Sequence, residues 1–389
     1  MGERVLTRGE LNRALLARQL LLRRRRLPVV RAIERVGGLQ AQWPPSPFVA
    51  LWARLEGFAR ADLVRALERR RVVKATLMRS TLHHVSAADY LAYAGLLREV
   101  RLASLARRAD RDGVEDDLDV LADRLLALTS SSPRSRPDLL ELLGLPKLRP
   151  DDPRPWTVWH LLAARLSLLH TPAASAWRHN TAGGAFVPAR VWLGAEPEGG
   201  EEAAGHLVRR YLTAFGPASR TDVAQWTGVP LAALEPALGR LRLRRFRDES
   251  GRELLDLPRA PLPPAAVEAP VRFLPRWDSA LLAHADRSRI LPAERRSTVI
   301  ARNGDVHSTF LVDGFVAGTW TVEDGRVVAE PFEPLPTRAR RELEREAAAL
   351  AALYAGSDRP RRRRTARTTA GPPAIQASTS GQRLPPARS

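Results

Sequence analysis

Two glutamines, Gln40 and Gln42, lie two residues apart in the stretch GGLQAQWPPSP at residues 37–47. A glutamine is not a useful general base, but its carbonyl oxygen accepts a hydrogen bond from water and can face a developing positive charge, and its amide group donates. Residues i and i+2 of an extended segment point to the same side, so the two side chains can meet at one point. The pair is a candidate for positioning water or a phosphate, and the alternative is two polar side chains that satisfy loop backbone groups.

The elements around this pair must hold it in an extended conformation. Apolar residues at helical spacing over residues 28–36 predict a helix, and Gly37-Gly38 is a normal way for that helix to end. The prolines of WPPSP exclude a helix after the motif. We therefore predict a short extended segment in which Leu39 and Ala41 face the core.

The chain is strongly basic. It has 389 residues, with 62 lysines and arginines against 43 aspartates and glutamates and a formal net charge of +19. Only Lys74 and Lys147 are lysines, an arginine bias that a GC-rich coding sequence also produces. A field of this sign attracts polyanions, nucleic acid first and anionic membranes second.

The composition limits the kinds of chemistry. No cysteine occurs, which excludes disulfides, thiolate nucleophiles and cysteine-ligated metal sites. The sequence has neither an apolar signal segment at its N-terminus nor an apolar run of the ~18 residues that a membrane helix needs, so we expect a cytoplasmic protein without membrane contact. The length and the 44% hydrophobic content predict about two to four folded units.

A polar strand face is predicted after Met78. The stretch VVKATLMRSTLHHV at residues 72–85 alternates, and a strand from Met78 places Arg79, Thr81 and His83 on one side. We interpret this face as directed at a binding cleft or a phosphate, and the alternative is a solvated strand face.

The histidines do not predict a metal site. His83 and His84 are neighbours on a strand and point to opposite sides, and the other six histidines show no ligand spacing. Asp278, Asp286 and Arg287 in WDSALLAHADRSR are interpreted as a buried ion-pair or capping network. We therefore predict no metal and no cofactor.

The clearest structural unit covers residues 205–246. Its apolar helical stripe ends at Gly216-Pro217, Ser219 with Asp222 predicts a capped second helix, and a third helix and two strands follow. This order predicts a winged helix-turn-helix. The side chains around its third helix are candidate contacts to DNA phosphates: Arg220, Gln225, Arg240, Arg242, Arg244 and Arg245.

A strand-rich segment follows at residues 271–333. Asn-Gly or Asp-Gly pairs separate the runs STVIAR, DVHSTFLV, FVAGTWTV and RVVAEPF and predict hairpin turns. Arg302 and His307 flank the first turn and are candidate DNA contacts, with a solvated loop tip as the alternative. A closing helix over residues 337–354 precedes a basic tail that we predict to be disordered.

Motifs along about residues 5–355 resemble those of the AlkZ/YcaQ family of winged-helix DNA glycosylases. The resemblance is carried by LNRALLARQLLL, GLQAQWPPSPFVALWARL, LMRSTLHHV, YLTAFGPASRTDVAQWTG, PRWDSALLAHADRSRI and VDGFVAGTW. Members of this family remove alkylated purines from DNA and unhook interstrand crosslinks. They are described as tandem winged-helix units that form a concave DNA-binding body, and the resemblance implies a hairpin near Arg302 and His307 that enters the minor groove.

By this resemblance, the family's catalytic glutamine-x-glutamine or glutamine-x-aspartate pair falls on Gln40 and Gln42. An N7-alkylated purine is already cationic, so the site must orient water and stabilise an oxocarbenium-like sugar rather than protonate the leaving group. Gln42 cannot take a proton as an aspartate could, so we expect dependence on labile, cationic lesions. No lysine except Lys74 lies near the motif, so a Schiff-base lyase step is not expected.

These observations predict an α+β fold, mainly α, of three tandem winged helix-turn-helix units with a β-rich C-terminal segment. The predicted units cover residues 1–110, 111–200 and 201–262. The β-rich segment with its closing helix covers residues 271–356, and the disordered basic tail covers residues 357–389.

The predicted function is that of a monofunctional DNA glycosylase, acting as a monomer on damaged double-stranded DNA. One alternative is a winged-helix transcriptional regulator without catalysis, which would bind a specific operator as a dimer. Another is a self-resistance factor that binds a DNA-alkylating metabolite or its adduct without cleaving DNA.

Overall fold

The computed structural model describes residues 3–146, 149, 151–177 and 184–356. The tail at 357–389, for which disorder is predicted, lies outside the described residues. Helices and strands are mixed along the described chain, as the predicted class requires. No described helix is both long and apolar enough to cross a membrane. The chain opens with strand β1 (Val5–Leu6) and helix α1 (Arg8–Arg18).

One order of elements recurs in the described chain: a helix, a short extended segment, two helices and a two-stranded hairpin. We call each occurrence a repeat. The short segment of repeat 1 holds Gln40 and pairs with the second hairpin strand. Repeat 1 consists of α2 (Val29–Arg35), β2 (Leu39–Gln40), α3 (Ser46–Arg54), α4 (Arg60–Glu68), β3 (Val72–Thr76) and β4 (Leu82–Ser86).

The predicted strand from Met78 is wrong. Met78–Ser80 form a tight 3-10 turn between β3 and β4, with φ of 53° at Arg79 and 58° at Ser80. Residues in this left-handed region cannot continue a pleated strand, so the alternation restarts at Leu82. The common polar face predicted for Arg79, Thr81 and His83 therefore does not form.

Repeat 2 follows the long helix α5 (Ala87–Asp112), which begins at the cap Ser86 and ends at Gly113. Its helices bury leucines at helical spacing, including Leu121 and Leu125. Repeat 2 consists of α6 (Leu118–Ser131), β5 (Arg134–Ser135), α7 (Arg136–Leu143), α8 (Arg154–Arg165), β6 (Leu168–His170) and β7 (Ala185–Pro188), and α9 (Ala189–Leu193) comes after it.

Repeat 3 agrees with the local signals of its sequence. Ser219 and Asp222 form the predicted capping box, and the predicted apolar stripe of the preceding helix is buried. Ala218 pairs with Leu255 as the short extended segment. Repeat 3 consists of α10 (Gly200–Phe215), α11 (Arg220–Thr227), α12 (Leu231–Arg240), β8 (Arg244–Asp248) and β9 (Glu253–Asp256).

The sheets join parts of the chain that are distant in sequence. One sheet has the order β2-β4-β3-β6-β7-β5 and is continuous from repeat 1 to repeat 2 through the pairing of Lys74 with His170. A second sheet has the order β1-β8-β9, in which β1 is parallel to β8. Repeats 1 and 2 therefore share a sheet, and the N-terminal strand extends the hairpin of repeat 3.

The C-terminal segment is a four-stranded sheet covered by one helix. The hairpin turns at Asp313-Gly314 and Asp324-Gly325 are as predicted, with positive φ at all four residues. The segment consists of β10 (Arg272–Leu274), α13 (Ser279–Leu282), α14 (Arg296–Val299), β11 (Thr309–Val312), β12 (Phe315–Glu323), β13 (Arg326–Pro331) and α15 (Thr337–Ala355).

The strand predicted for STVIAR is wrong, because α14 occupies the first half of that run. Only the bridge between Ile300 and Val306 flanks the Asn303-Gly304 turn. The β-branched residues of this run favour a strand, but Val299 is fully buried in the core, and this packing overrides the local preference.

Candidate active site

Two glycines with left-handed backbone conformation connect the end of α2 to the glutamine motif. The φ angles of Gly37 and Gly38 are 79° and 90°. A Cβ atom on Gly37 would lie 3.0 Å from the ring of Phe215, so repeat 3 packs directly against this turn. Leu39 and Ala41 are buried, as predicted. The glycines therefore allow the motif to enter the sheet beside β4 while touching repeat 3.

Both glutamines bind the turn between β3 and β4. Arg79 Nη2 donates a hydrogen bond of 3.1 Å to Gln40 Oε1. The backbone nitrogen of Leu82 donates one of 2.9 Å to Gln42 Oε1. The two carbonyl oxygens are thus held at the two ends of one turn.

Arg79 connects the motif to repeat 3. Its Nη1 donates a hydrogen bond of 2.9 Å to the carbonyl oxygen of Trp226, at the end of α11. Burial, and to a lesser extent the nearby Arg287, lower the pKa of Arg79 to about 10, so the guanidinium remains charged at neutral pH. Arg79 therefore holds Gln40 in place rather than lying on an exposed surface.

Thr81 and His83 also form hydrogen bonds within the turn. Thr81 Oγ1 donates to the carbonyl oxygen of Met78, and His83 Nδ1 donates a hydrogen bond of 3.0 Å to the carbonyl oxygen of Thr81. His83 is completely buried. In this geometry, neither Thr81 nor His83 shares with Arg79 a face that could be presented to a ligand.

The two glutamines reach different cavities. Gln42 lines a cavity of about 680 Å³ between the β3–β4 hairpin and repeat 2. Gln40 lines a much smaller recess together with Arg54, Trp277 and Asp278. Both side chains contact the hairpin turn. They do not converge on one open space, so that prediction is wrong.

A buried ion pair forms the floor of the recess next to Gln40. Arg54 Nη2 lies 2.8 Å from Asp278 Oδ1, and both side chains are 1% exposed. Asp278 Oδ1 also accepts from the backbone nitrogen of Ala280 and caps α13. The structural role predicted for Asp278 is confirmed, but its partner comes from repeat 1. The predicted network with Asp286 and Arg287 does not form, because Asp286 pairs with Arg252 and Arg287 donates to the carbonyl oxygen of Leu281.

Most of the basic side chains predicted as DNA contacts in repeat 3 are paired with carboxylates. Gln225 and Arg242 are exposed. The paired side chains would have to exchange a carboxylate for a phosphate: Arg220 with Glu253 and Glu235, Arg240 with Glu201, Arg244 with Asp256, and Arg245 with Glu253.

The loop between Arg302 and His307 is tied to the glutamine motif. Both of these side chains are exposed. Trp277 Nε1 donates to the carbonyl oxygen of Gly304, and Arg276 pairs with Asp305. The Arg276 guanidinium also lies 5.3 Å from the ring centre of Trp43, the residue after Gln42. The structure thus brings this loop next to the motif.

The side chains of α5 and repeat 2 that face Gln42 are not among the predicted site residues. Arg101 and Arg108 on α5 and Trp156 and His160 on α8 line the large cavity. Ser86 and Gly113 could have predicted α5 as a capped helix, and the seven-residue spacing of the arginines would then have placed both on one face.

Three histidines, His83 fully buried and His160 and His170 partly buried, predict a loss of stability in acid. Burial lowers the pKa of His83 and of His170 to about 3 and that of His160 to about 4. Below pH 6.5 the unfolded chain takes up these protons and the folded chain does not, so stability is complete above that pH and falls as the pH decreases toward 4. Each histidine contributes a slope of ~1.4 kcal/mol per pH unit in this window.

Urea titrations between pH 7 and pH 5 measure this slope. His83→Gln is expected to reduce it, and the same change at the exposed His307 is expected to leave it unchanged. A free energy of unfolding that stays constant from pH 7 to pH 5 would contradict the expectation.

Comparisons with known proteins agree on one family. A curated protein of Streptomyces sahachiroi, named an interstrand DNA cross-link repair glycosylase, is 28% identical over 167 residues, which cover 39% of this chain and 43% of that protein. The solved structure of the Streptomyces sahachiroi DNA glycosylase AlkZ aligns with a TM-score of 0.75 and 23% identity over 91% of this chain and 98% of that chain, so the two share a fold. The model of the AlkZ-like DNA glycosylases matches residues 33–353, and the chain therefore belongs to this family.

Proposed function

We propose that the three repeats are winged helix-turn-helix units and that the chain is a DNA repair glycosylase. In each repeat, the short extended segment pairs with the last strand of the hairpin, which closes a small sheet over the helices. A helix-turn-helix with such a wing is a DNA-binding unit. We place the unit boundaries at residues 1–110, 111–200 and 201–262, with the β-rich segment at 271–356.

The proposed reaction is hydrolysis of the N-glycosidic bond of a bulky or N7-alkylated purine, including one held in an interstrand crosslink. The observation that carries this proposal is the anchoring of Gln40 and Gln42 on one turn, in a chain of the AlkZ-like family. The Gln40 oxygen is held by Arg79 and the Gln42 oxygen by the Leu82 backbone. Each therefore loses little conformational freedom when it binds water.

The glutamines are proposed as positioning groups for water and for the cationic sugar. The bond to an N7-alkylated purine breaks without protonation of the base, because the leaving purine already carries a positive charge. The remaining tasks are to aim a water molecule at C1′ and to place partial negative charge near the oxocarbenium-like sugar. The side-chain amides of Gln40 and Gln42 carry both the acceptor oxygens and the donor groups that these two tasks require.

The substrate is proposed to be damaged double-stranded DNA bound by one copy of the chain. The net charge of +19 favours a polyanion. Four exposed side chains are proposed as direct contacts: Gln225, Arg242, Arg302 and His307. The ion-paired arginines of repeat 3 would join them after exchanging their carboxylate partners for phosphates.

A monofunctional enzyme is proposed, because the nearest lysine is committed elsewhere. Lys74 Nζ donates a hydrogen bond of 2.8 Å to the carbonyl oxygen of Ala174, and the side chain is 2% exposed. Burial lowers its pKa to about 8, but an amine enclosed in this way is not presented to a bound nucleotide. We expect that borohydride added during the reaction traps no protein–DNA complex, as judged by a gel shift that survives denaturation.

A bifunctional glycosylase on its own substrate is the positive control for that trap. A trapped complex with the present chain would contradict the monofunctional mechanism and would make Lys74 the first residue to test.

The proposed function is tested with a duplex that contains one N7-methylguanine. Incubation with the protein, followed by hot alkali, is expected to break the strand at the lesion, because hydrolysis leaves an alkali-labile abasic site. A crosslinked duplex serves as the second substrate. Retention of both duplexes without any abasic product would contradict the glycosylase and would favour a protein that binds damaged DNA without cleaving it.

A further inference from the structure

The cavity beside Gln42 has two walls of different origin. One wall belongs to repeat 1 and includes Gln42, Thr76 and Leu82. The opposite wall belongs to α5 and repeat 2. The volume of about 680 Å³ lies within the range of ~300–1,000 Å³ that is typical of sites for small organic ligands. The space is therefore far larger than a single attacking water molecule requires.

The wall formed by α5 and repeat 2 carries uncompensated positive charge. Arg101, Arg111 and Arg136 line the cavity and have no carboxylate partner among the described residues. Arg108 is paired with Asp112, and none of the described lining residues is acidic. Burial lowers the pKa of Arg101 to about 10, so this group remains charged at neutral pH. An anionic ligand group is the natural complement of such a surface.

The same wall presents aromatic rings at stacking distance. The ring centres of Trp156 and His160 are 4.0 Å apart, and the guanidinium of Arg108 lies 4.5 Å from the ring centre of Trp156. Deeper in the cavity, His170 and Phe186 have ring centres 4.5 Å apart. Trp156 is 38% exposed, so part of its ring is available to a ligand. These surfaces suit a planar ring system.

A planar ring joined to an anionic group describes a nucleotide, and DNA is the proposed substrate. We propose that this cavity binds one unstacked nucleotide of the DNA, with its base against Trp156 and its phosphate against Arg136 and Arg101. The proposal rests on the proposed function and adds to it a recognition site on the wall opposite Gln42. Every base has a π-face, so stacking here recognises a nucleotide that has left the duplex without requiring a particular base.

The test measures binding of free nucleotides to the full chain by isothermal titration calorimetry. Deoxyguanosine 5′-monophosphate is expected to bind saturably, and deoxyguanosine and deoxyribose 5-phosphate are each expected to bind at least about tenfold more weakly, because each lacks one of the two recognised groups. Trp156→Ala is expected to weaken the nucleotide and the nucleoside alike. Arg136→Gln is expected to weaken only the nucleotide.

Matched controls exist elsewhere in the chain. Trp192 stacks on Arg70 as Trp156 does on Arg108, and Trp192→Ala is expected to leave nucleotide binding unchanged. Arg341, exposed on α15, is the control for Arg136. Circular dichroism checks that each variant is folded, and His160→Ala replaces Trp156→Ala if the latter is not.

Three results would overturn the proposal: no saturable binding of the nucleotide, equal affinity for deoxyribose 5-phosphate, or no effect of the Trp156 and Arg136 changes. The excision assay on N7-methylguanine separates this inference from the proposed function. Excision without nucleotide binding would remove only the nucleotide site, and nucleotide binding with the predicted variant effects but without excision of any lesion would remove only the glycosylase.

Discussion

Asp278→Ala is expected to lower the free energy of unfolding by ~3–5 kcal/mol. The carboxylate lies 2.8 Å and 2.9 Å from the two terminal nitrogens of Arg54, and neither side chain reaches solvent. Its removal leaves the Arg54 guanidinium buried with only neutral acceptors, Gln19 Oε1 and the carbonyl oxygen of Ala50. The expected loss of stability comes from burying an uncompensated charge and not from the net stabilisation that the ion pair contributes.

Urea denaturation of the wild type and the variant measures this change. The exposed pair of Glu268 with Arg338 provides the control, because both side chains are about four-fifths exposed, at 79% and 82%. Glu268→Ala is expected to cause no measurable change, since water and salt already screen that pair. An Asp278→Ala variant as stable as Glu268→Ala would show that Arg54 is not buried with a charged partner.

Repeat 3 could be predicted from its sequence because its signals are local. The Ser219–Asp222 capping box, the glycine that ends α11 and the apolar stripe of α10 each depend on residues a few positions apart. The extended start of the glutamine motif at Leu39–Gln40 could be predicted for the same reason, from the two glycines before it. The prediction that the prolines exclude a helix after the motif is wrong, because α3 begins at Ser46 and its first turn tolerates Pro47. The fold of these segments follows from short-range rules.

The features that were missed depend on contacts distant in sequence. The Arg54–Asp278 pair joins side chains 224 positions apart. The large cavity requires repeats 1 and 2 to share a sheet, and that contact rests on the pairing of Lys74 with His170. The sequence predicts a strand at Arg79 and Ser80 because neither residue is a glycine, although both adopt positive φ. Such strained positions recur at functional sites, where packing maintains them.

Replacement of Gln40 or Gln42 by alanine is expected to slow base excision by about 10²–10³-fold, the range found when one preorganised polar group that stabilises a transition state is removed. Each alanine removes an amide oxygen that the β3–β4 turn holds in place. The effects of the two changes should not add, because both amides are anchored on the same β3–β4 turn and the loss of one disturbs the turn that holds the other. Affinity for DNA should change little, since neither side chain is charged.

Gln376→Ala is the matched control for these variants, because it makes the same chemical change far from the motif in the sequence. It is expected to leave the excision rate unaltered. A rate for Gln40→Ala within a few-fold of the wild type would show that the Arg79-held amide does not contribute to the reaction.

The role of Gln40 and Gln42 in base excision is tested most directly by the release of free 7-methylguanine from a duplex under single-turnover conditions. DNA binding is measured on the same samples. The wild type is expected to release the base, and Gln40→Ala/Gln42→Ala is expected to bind the duplex as tightly and to release almost none. Release at equal rates by both proteins would contradict the assignment of the chemistry to the glutamine pair.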